Sequence, residues 1–239
     1  HLVRPDAEGP ARVAQVDEAA SALMSALLHD PAFQALESLW RSLVFLLSRS
    51  DTLGKVRVYA LNVSREELES DLLGSGGPGT SRLGEVLTRP DLGAPARRWS
   101  LAVGAYSFGS GPRDLALLEG IGATARAADV PWISSFDDTP GGDAEQGASS
   151  DAWAAFRRQP EASWVGLTYP RFLVREPLGG SGRAAQAFAF RETASGPGQL
   201  LWGHGAFLCA ALMAQGYAAR GWGFRMEDWM ELDGMPQAL

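Results

Sequence analysis

The residues best placed to do chemistry are three glycines in and just after an apolar run. LAVGAY (101–106) reads as a strand, and Gly104, Gly109 and Gly111 lead from it towards a helical stretch. A glycine-rich turn at a helix N-terminus can hold a phosphate on its free backbone N–H groups. Here the spacing is not G-x-G-x-x-G, and no Gly-Lys-Ser/Thr follows. Asp114 also puts a negative charge where a phosphate should sit. A tight strand-to-helix turn accounts for the same residues. Binding of an anionic small molecule at 107–113 is the alternative.

The other reactive groups form no constellation. His204 and Cys209 are five helical steps apart, about 500° of rotation, and point to different faces. Cys209 reads as a small core hydrophobe. Gly179-Gly180-Ser181-Gly182-Arg183 approaches the hydrolase G-x-S-x-G, but fails at its last position and does not follow a strand. Glu66 and Glu67 suit the first turn of a helix, and Asp137 and Asp138 a solvated loop. No catalytic, cofactor-binding or metal-ligating residue is assigned, and no cofactor is expected.

The eight tryptophans are the more informative excess. Trp40 falls on a helical stripe, Trp132 and Trp164 in strands, and Trp202 at a helix start, all consistent with core packing. Trp222 and Trp229 lie near the chain end beside Met226 and Met230. They are the interface candidates, because tryptophan is enriched in binding hot spots. Arg171 and Arg175 flank Phe172-Leu173-Val174. They either pair with acidic groups of a partner or are solvated alternating residues.

The elements that must position these residues follow from periodicity. Residues 1–12 read as a flexible lead-in. Val13, Val16, Ala20, Leu23 and Leu27 share one side of a helix over 13–28. Asp30 caps the next helix and Pro31 suits its first turn. Phe33, Leu36, Trp40, Leu43 and Leu47 form its apolar stripe. Val56, Val58 and Ala60 alternate in a strand over 55–62. Ser64-Arg65-Glu66-Glu67 is a capping box for a short helix ending near Leu73, and 74–81 is a loop. The strand at 101–106 leads to a helix capped at Arg113-Asp114, with Leu115, Leu118, Ile121 and Ala125 buried. VPWISS (130–135) is the next strand, which makes a right-handed βαβ crossover. After a loop at 137–151, Asp151 caps a helix to Arg158. WVGLTYP (164–170) is a strand, and 178–199 runs over the surface, anchored by Phe188 and Phe190. A deeply buried helix spans Gly203 to about Arg220, and GWGFRM begins a final strand. No internal repeat and no coiled-coil heptad series stands out. The fold class is α/β: a mixed, mainly parallel sheet packed by helices, with an N-terminal helical segment. One domain is expected over 13–236, with helices in 13–50 and the α/β core in 55–236.

Composition sets outer limits. The chain has 239 residues, 46% hydrophobic, enough for one sizeable core or two small ones. Net charge is −7 with pI near 5.0, without the basic stripe that nucleic acid demands. A single cysteine fits a reducing cytoplasm. No stretch reaches the ~20 apolar residues of a membrane span. His1 is not an initiator Met, so the chain is processed, trimmed, or a piece of something longer.

Five segments in order carry a resemblance: PAFQALESLWRSLVFLLSRSD, KVRVYALNVSREELESDL, VGAYSFGSGPRDLALLEGIGATARAADVPWISS, WVGLTYPRFLVREP and LLWGHGAFLCAALMAQGYAARGWGFR. Together they resemble the large subunit of the type VI secretion contractile sheath (the TssC/VipB-like family). The likeness runs from about residue 14 to 236. Its family-like positions include Phe33, Leu36, Trp40 and Arg41, Leu61-Asn62-Val63-Ser64, and Asp114, Leu117 and Leu118. Pro131, the run from Val165 to Leu173 with Pro170 and Arg171, and Leu201-Trp202-Gly203 complete the set.

The resemblance implies a structural, non-enzymatic middle domain of a cytoplasmic sheath. It implies partners: a sheath small subunit, other copies of the large subunit, an inner tube protein and, indirectly, an AAA+ disassembly ATPase. Neither nucleic acid nor membrane insertion is implied. Contraction of the helical assembly would drive the inner tube outward and inject effectors. Family members are roughly twice as long, with an N-terminal linker and a C-terminal domain that are not visible here. The loop at 137–150 is shorter, His204 stands where the family has Asn, and 179–182 matches poorly. A fragment of a large subunit, a truncated relative, and an adaptor derived from a sheath domain all fit.

Overall fold

The computed structural model describes residues 9–50, 54–74, 80–89, 98–137, 146–179, 190–192, 199–225 and 235. The chain forms two compact units. One comprises His1–Leu43, Leu173–Gly203 and Glu231–Leu239, the other Val44–Phe172 and His204–Met230.

The larger unit is built on the βαβ crossover. Strand β1 (Ala102–Phe108) lies parallel to β2 (Trp132–Phe136), and β2 parallel to β3 (Val165–Thr168), in the order β1-β2-β3. Ala102 is level with Trp132 and Phe108 with Phe136, and the register shifts between Val103 and Ser107. The crossover helix Pro112–Ala128 buries Leu115, Leu118, Ile121 and Ala125 as the spacing predicts. Its N-cap is Gly111, with Pro112 in the first turn, rather than Arg113-Asp114. The core around it takes in Phe108, Leu117, Trp132 and Phe156.

The helix predicted after Ser64 is present at Arg65–Gly74, with a reciprocal cap. Ser64 Oγ accepts the Glu67 N–H at 3.1 Å, and Glu67 Oε2 accepts the Ser64 N–H at 2.8 Å. A further short helix, Arg82–Thr88, was not visible in the sequence. Ser81 caps it, and Asp71 accepts the N–H groups of Arg82 and Leu83 at 2.8 and 2.9 Å. The next helix, Gln146–Phe156, starts earlier than expected, so Asp151 lies inside it and caps nothing. The last helix, Gly205–Arg220, buries Ala206, Phe207, Ala210 and Ala211. GWG continues it as a 3-10 turn, Gly221–Gly223, instead of a strand.

Residues 56–62 take no regular secondary structure and join no ladder among the described residues. Alternation gives a strand its faces without supplying the neighbour whose backbone it must bond. Tyr59 and Leu61 are accordingly exposed.

The smaller unit contains α1 (Gly9–Leu28) and the first part of α2 (Pro31–Arg49), so helix begins within the expected lead-in. In chain order, the helices starting at Arg65, Arg82, Pro112, Gln146 and Gly205 are α3 to α7. Asp30 Oδ1 accepts the Phe33 N–H at 2.9 Å, the predicted cap of α2. A short ribbon, β4 (Phe172–Leu173) and β5 (Trp202–Gly203), is extended by the Val174 N–H bonding Leu201 O at 3.1 Å.

The stripe expected to be the core face of α2 is not buried: Leu36, Trp40 and Leu47 are exposed, Trp40 by 59%. Its covered face is Ser38, Ser42, Phe45 and Leu46. In α1 only Leu28 is buried. Val13, Val16, Leu23 and Leu27 face solvent.

Candidate assembly surfaces

The glycine turn before α5 is filled by the protein's own groups. Asp114 Oδ2 accepts the Gly109 N–H at 2.5 Å, and its other oxygen pairs with the Arg65 guanidinium. Arg65 also donates to Ser107 O at 2.9 Å and to Glu69 at 3.1 Å. Arg113 reaches Glu69 at 2.5 Å. Hydrogen bonds from Arg113 and then Arg65 hold the Glu69 carboxyl below its ordinary value. The cleft at this place is lined by Arg65, Glu66, Glu69, Arg113 and Asp114. Three carboxylates against two guanidiniums leave it net negative. An incoming anion would meet Asp114 at the position where it needs donors, so the geometry selects the turn over the anion site.

Arg175, expected at the surface, is buried instead. Its Nη1 donates to Glu192 Oε2 at 2.6 Å and its Nε to Glu37 Oε1 at 2.9 Å, with 8% of its side chain exposed. A buried guanidinium needs its donors met, and this chain supplies two carboxylates and the Glu176 carbonyl. The Glu192 carboxyl is pushed up by burial. The hydrogen bonds from Arg175 and the Leu178 N–H, with the charges of Arg175 and His29, outweigh that and leave it below its ordinary value.

The remaining named residues are placed singly. Trp222 is 74% exposed, with its ring edge-on to Tyr217 at 4.9 Å. Trp229, Met226, Met230 and Phe188 lie outside the described residues. Arg171 and Asn62 are exposed, and Arg41 pairs with Glu37 at 2.7 Å. Trp202, half-buried in β5, accepts Ser38 Oγ on its carbonyl at 2.6 Å, and Gly203 is buried beside it. The Pro170 carbonyl sits where a Cβ on Gly205 would come, 2.8 Å away. Phe190 is buried as an anchor, as expected. His204 caps α7. Burial, and after it the charge of Arg171, hold its imidazole below the usual range. Burial pushes the Cys209 thiol up, away from reactivity.

What the sequence does not announce is the acid set around Arg175, since Glu37 and Glu192 are remote from it. Arg65 and Glu69 do carry a signal, their i, i+4 spacing.

Among the described residues, two charged clusters are paired within the chain, and the exposed groups include apolar residues of α1 and α2 and Trp222. The family described as EvpB/VC_A0108, tail sheath N-terminal domain (VipB), matches residues 10–140 and 142–234, and the chain belongs to that type VI secretion sheath large-subunit family. The family description makes the domain N-terminal, where the resemblance suggests a middle one. The chain is 27% identical to the type VI secretion system sheath protein TssC1 of Pseudomonas aeruginosa over 246 aligned positions. The alignment covers 94% of this chain and 49% of that protein, so the chain spans about half the length of the relative. No helix among the described residues is long and apolar enough to cross a membrane.

Proposed function

We propose that this chain is a structural module of a type VI secretion contractile sheath, acting in the cytoplasm. It assembles with a small sheath subunit and with other large subunits around an inner tube, and takes part in the contraction that drives effectors outward. An AAA+ ATPase that dismantles the spent sheath would be an indirect partner. Energy would come from metastable packing between subunits, a bistable interface with no nucleotide bound in this domain.

The observation that carries this reading is the match to a sheath family along nearly the whole chain. The exposed apolar faces of α1 and α2 support it, because such faces on a folded chain mark contact surfaces. Exposed Trp222 and Arg171 are proposed as interface residues. Trp40 and Arg41, on the outer side of α2, belong with them. Asn62, Asp114, Pro170, Trp202 and Gly203 are proposed to hold local structure.

Co-expression with a small sheath subunit tests the reading. A 1:1 complex that co-elutes in size-exclusion chromatography is expected. Separate elution of two soluble proteins would contradict it.

A further inference from the structure

His29 stands in the turn between α1 and α2, and its Nε2 is buried without a hydrogen-bond partner. Leaving a buried polar atom unpaired costs free energy, so such an atom calls for a physical reason. Glu192 Oε1 lies 3.7 Å from it, with 20% of the His29 side chain and 3% of the Glu192 side chain exposed. That gap is too long for a hydrogen bond, and a small turn of the imidazole closes it.

Glu192 has one acceptor position left, and it is on the oxygen that His29 faces. Its Oε2 accepts Arg175 Nη1 at 2.6 Å and the Leu178 N–H at 2.8 Å. Its Oε1 accepts only Arg175 Nη2, at 3.2 Å, among the described residues. A carboxylate offers about four acceptor sites, two on each oxygen. The other charged groups nearby are already engaged. Glu37 of α2 takes both Arg175 and Arg41, and Asp30, next to His29, takes the Phe33 N–H. Burial raises the Glu192 carboxyl, while the bonds from Arg175 and Leu178 and the charges of Arg175 and His29 lower it. Coupling between two sites is mutual, so ionised Glu192 favours the proton on His29.

We propose that His29 is a proton-operated latch on the Arg175 cluster. With a proton on Nε2, the imidazolium donates to the open side of Glu192 Oε1 and ties the α1–α2 turn to Glu192. A neutral ring with its proton on Nδ1 can donate nothing from Nε2. Imidazole changes charge between about pH 5 and 8, so the latch closes on mild acidification. A cation that gains a carboxylate partner on folding adds stability at the acid side of its titration and loses it as pH rises. This is opposite in sign to the contribution of Glu192 itself, which is lost as pH falls.

Urea unfolding of the wild-type chain and of His29→Gln, at about pH 5.5 and about pH 8, reads the latch. The midpoint difference between the two chains should be larger at the acid pH. His1 and His204 titrate in both chains and cancel in the comparison. An equal difference at both pH values would overturn the proposal. NMR titration of the His29 ring in the wild type and in Glu192→Gln reads the partner. The titration should move to lower pH when the carboxylate is gone, and an unmoved curve would overturn the pairing. A nitrogen spectrum showing Nε2 already protonated and bonded at about pH 8 would make the contact a permanent hydrogen bond and would overturn the switch.

Discussion

Arg175 and Glu192 form a two-pronged ion pair, Nη1 to Oε2 at 2.6 Å and Nη2 to Oε1 at 3.2 Å, with 8% and 3% of their side chains exposed. Glu37 closes the other side of the same guanidinium. The cluster ties Arg175 and Glu192 to Glu37 of α2 inside the smaller unit. Removing one member of a buried pair strands the rest, which typically costs about 3–5 kcal/mol. Arg175→Ala should therefore lower unfolding stability by about 3 kcal/mol in urea titration. A loss below about 0.5 kcal/mol, the size of an ordinary surface change, would show that the pair is solvated.

The same cluster sets an acid limit. The Glu192 carboxyl is lower in the folded state than its ordinary 4.5. Its contribution is therefore fully present above the unfolded value and is lost as pH falls through the folded one. Stability measured from pH 7 downward should fall once pH drops below about 4.5. Glu192→Gln should be less stable at pH 7 and show a shallower decline. Parallel curves for the two proteins would refute the assignment.

The turn at 107–113 should ignore phosphate. Asp114 already holds the Gly109 N–H and the Arg65 guanidinium. Sodium phosphate should leave the melting temperature where sodium chloride of equal ionic strength leaves it, because only a ligand that binds the folded state raises it. Asp114→Asn, which removes the charge but keeps the shape, should cost about 1 kcal/mol by weakening the bonds from the Gly109 N–H and Arg65. A saturable rise in Tm with phosphate would restore the anion site.

Gly104 is required for close packing of β1 on β2. A Cβ there would come within 2.4 Å of both Ser134 Oγ and the Trp132 ring. The Trp132 indole is itself held by its N–H bond to Ser134 Oγ at 2.8 Å. Overpacking of this kind costs about 1–3 kcal/mol. Gly104→Ala should lower the Tm measurably, and an unchanged melt would show that the ring has room to move.

Trp222 separates stability from assembly. With three quarters of its surface exposed, Trp222→Ala should leave the melting curve nearly unchanged. It should weaken co-elution with the small sheath subunit if the ring is an anchor. Unaltered co-elution would remove Trp222 from the interface.

Local signals were legible where the partner is also local. The buried face of α5, the Ser64–Glu67 capping box and the Asp30 cap of α2 all appear in the structure where spacing predicts them. Parallel pairing of β1 with β2 follows from the length of the crossover. Other features depend on groups that periodicity cannot see. The stripe through Leu36 and Trp40 shows that a face is to be covered, without showing that the same chain covers it. The alternation at 55–62 gives a strand its sides and no neighbour. Arg175 lies 138 residues from Glu37 and 17 from Glu192, so only the folded chain joins them. In the sequence Asp114 argues against an anion, and in the structure it takes the anion's place.

The central claim is that this chain is sheath material. Its most direct test is negative-stain microscopy of the gene product containing this sequence, co-expressed with a small sheath subunit. Long hollow tubes are predicted. Soluble, monodisperse particles without tubes, from two proteins that each fold, would contradict the claim.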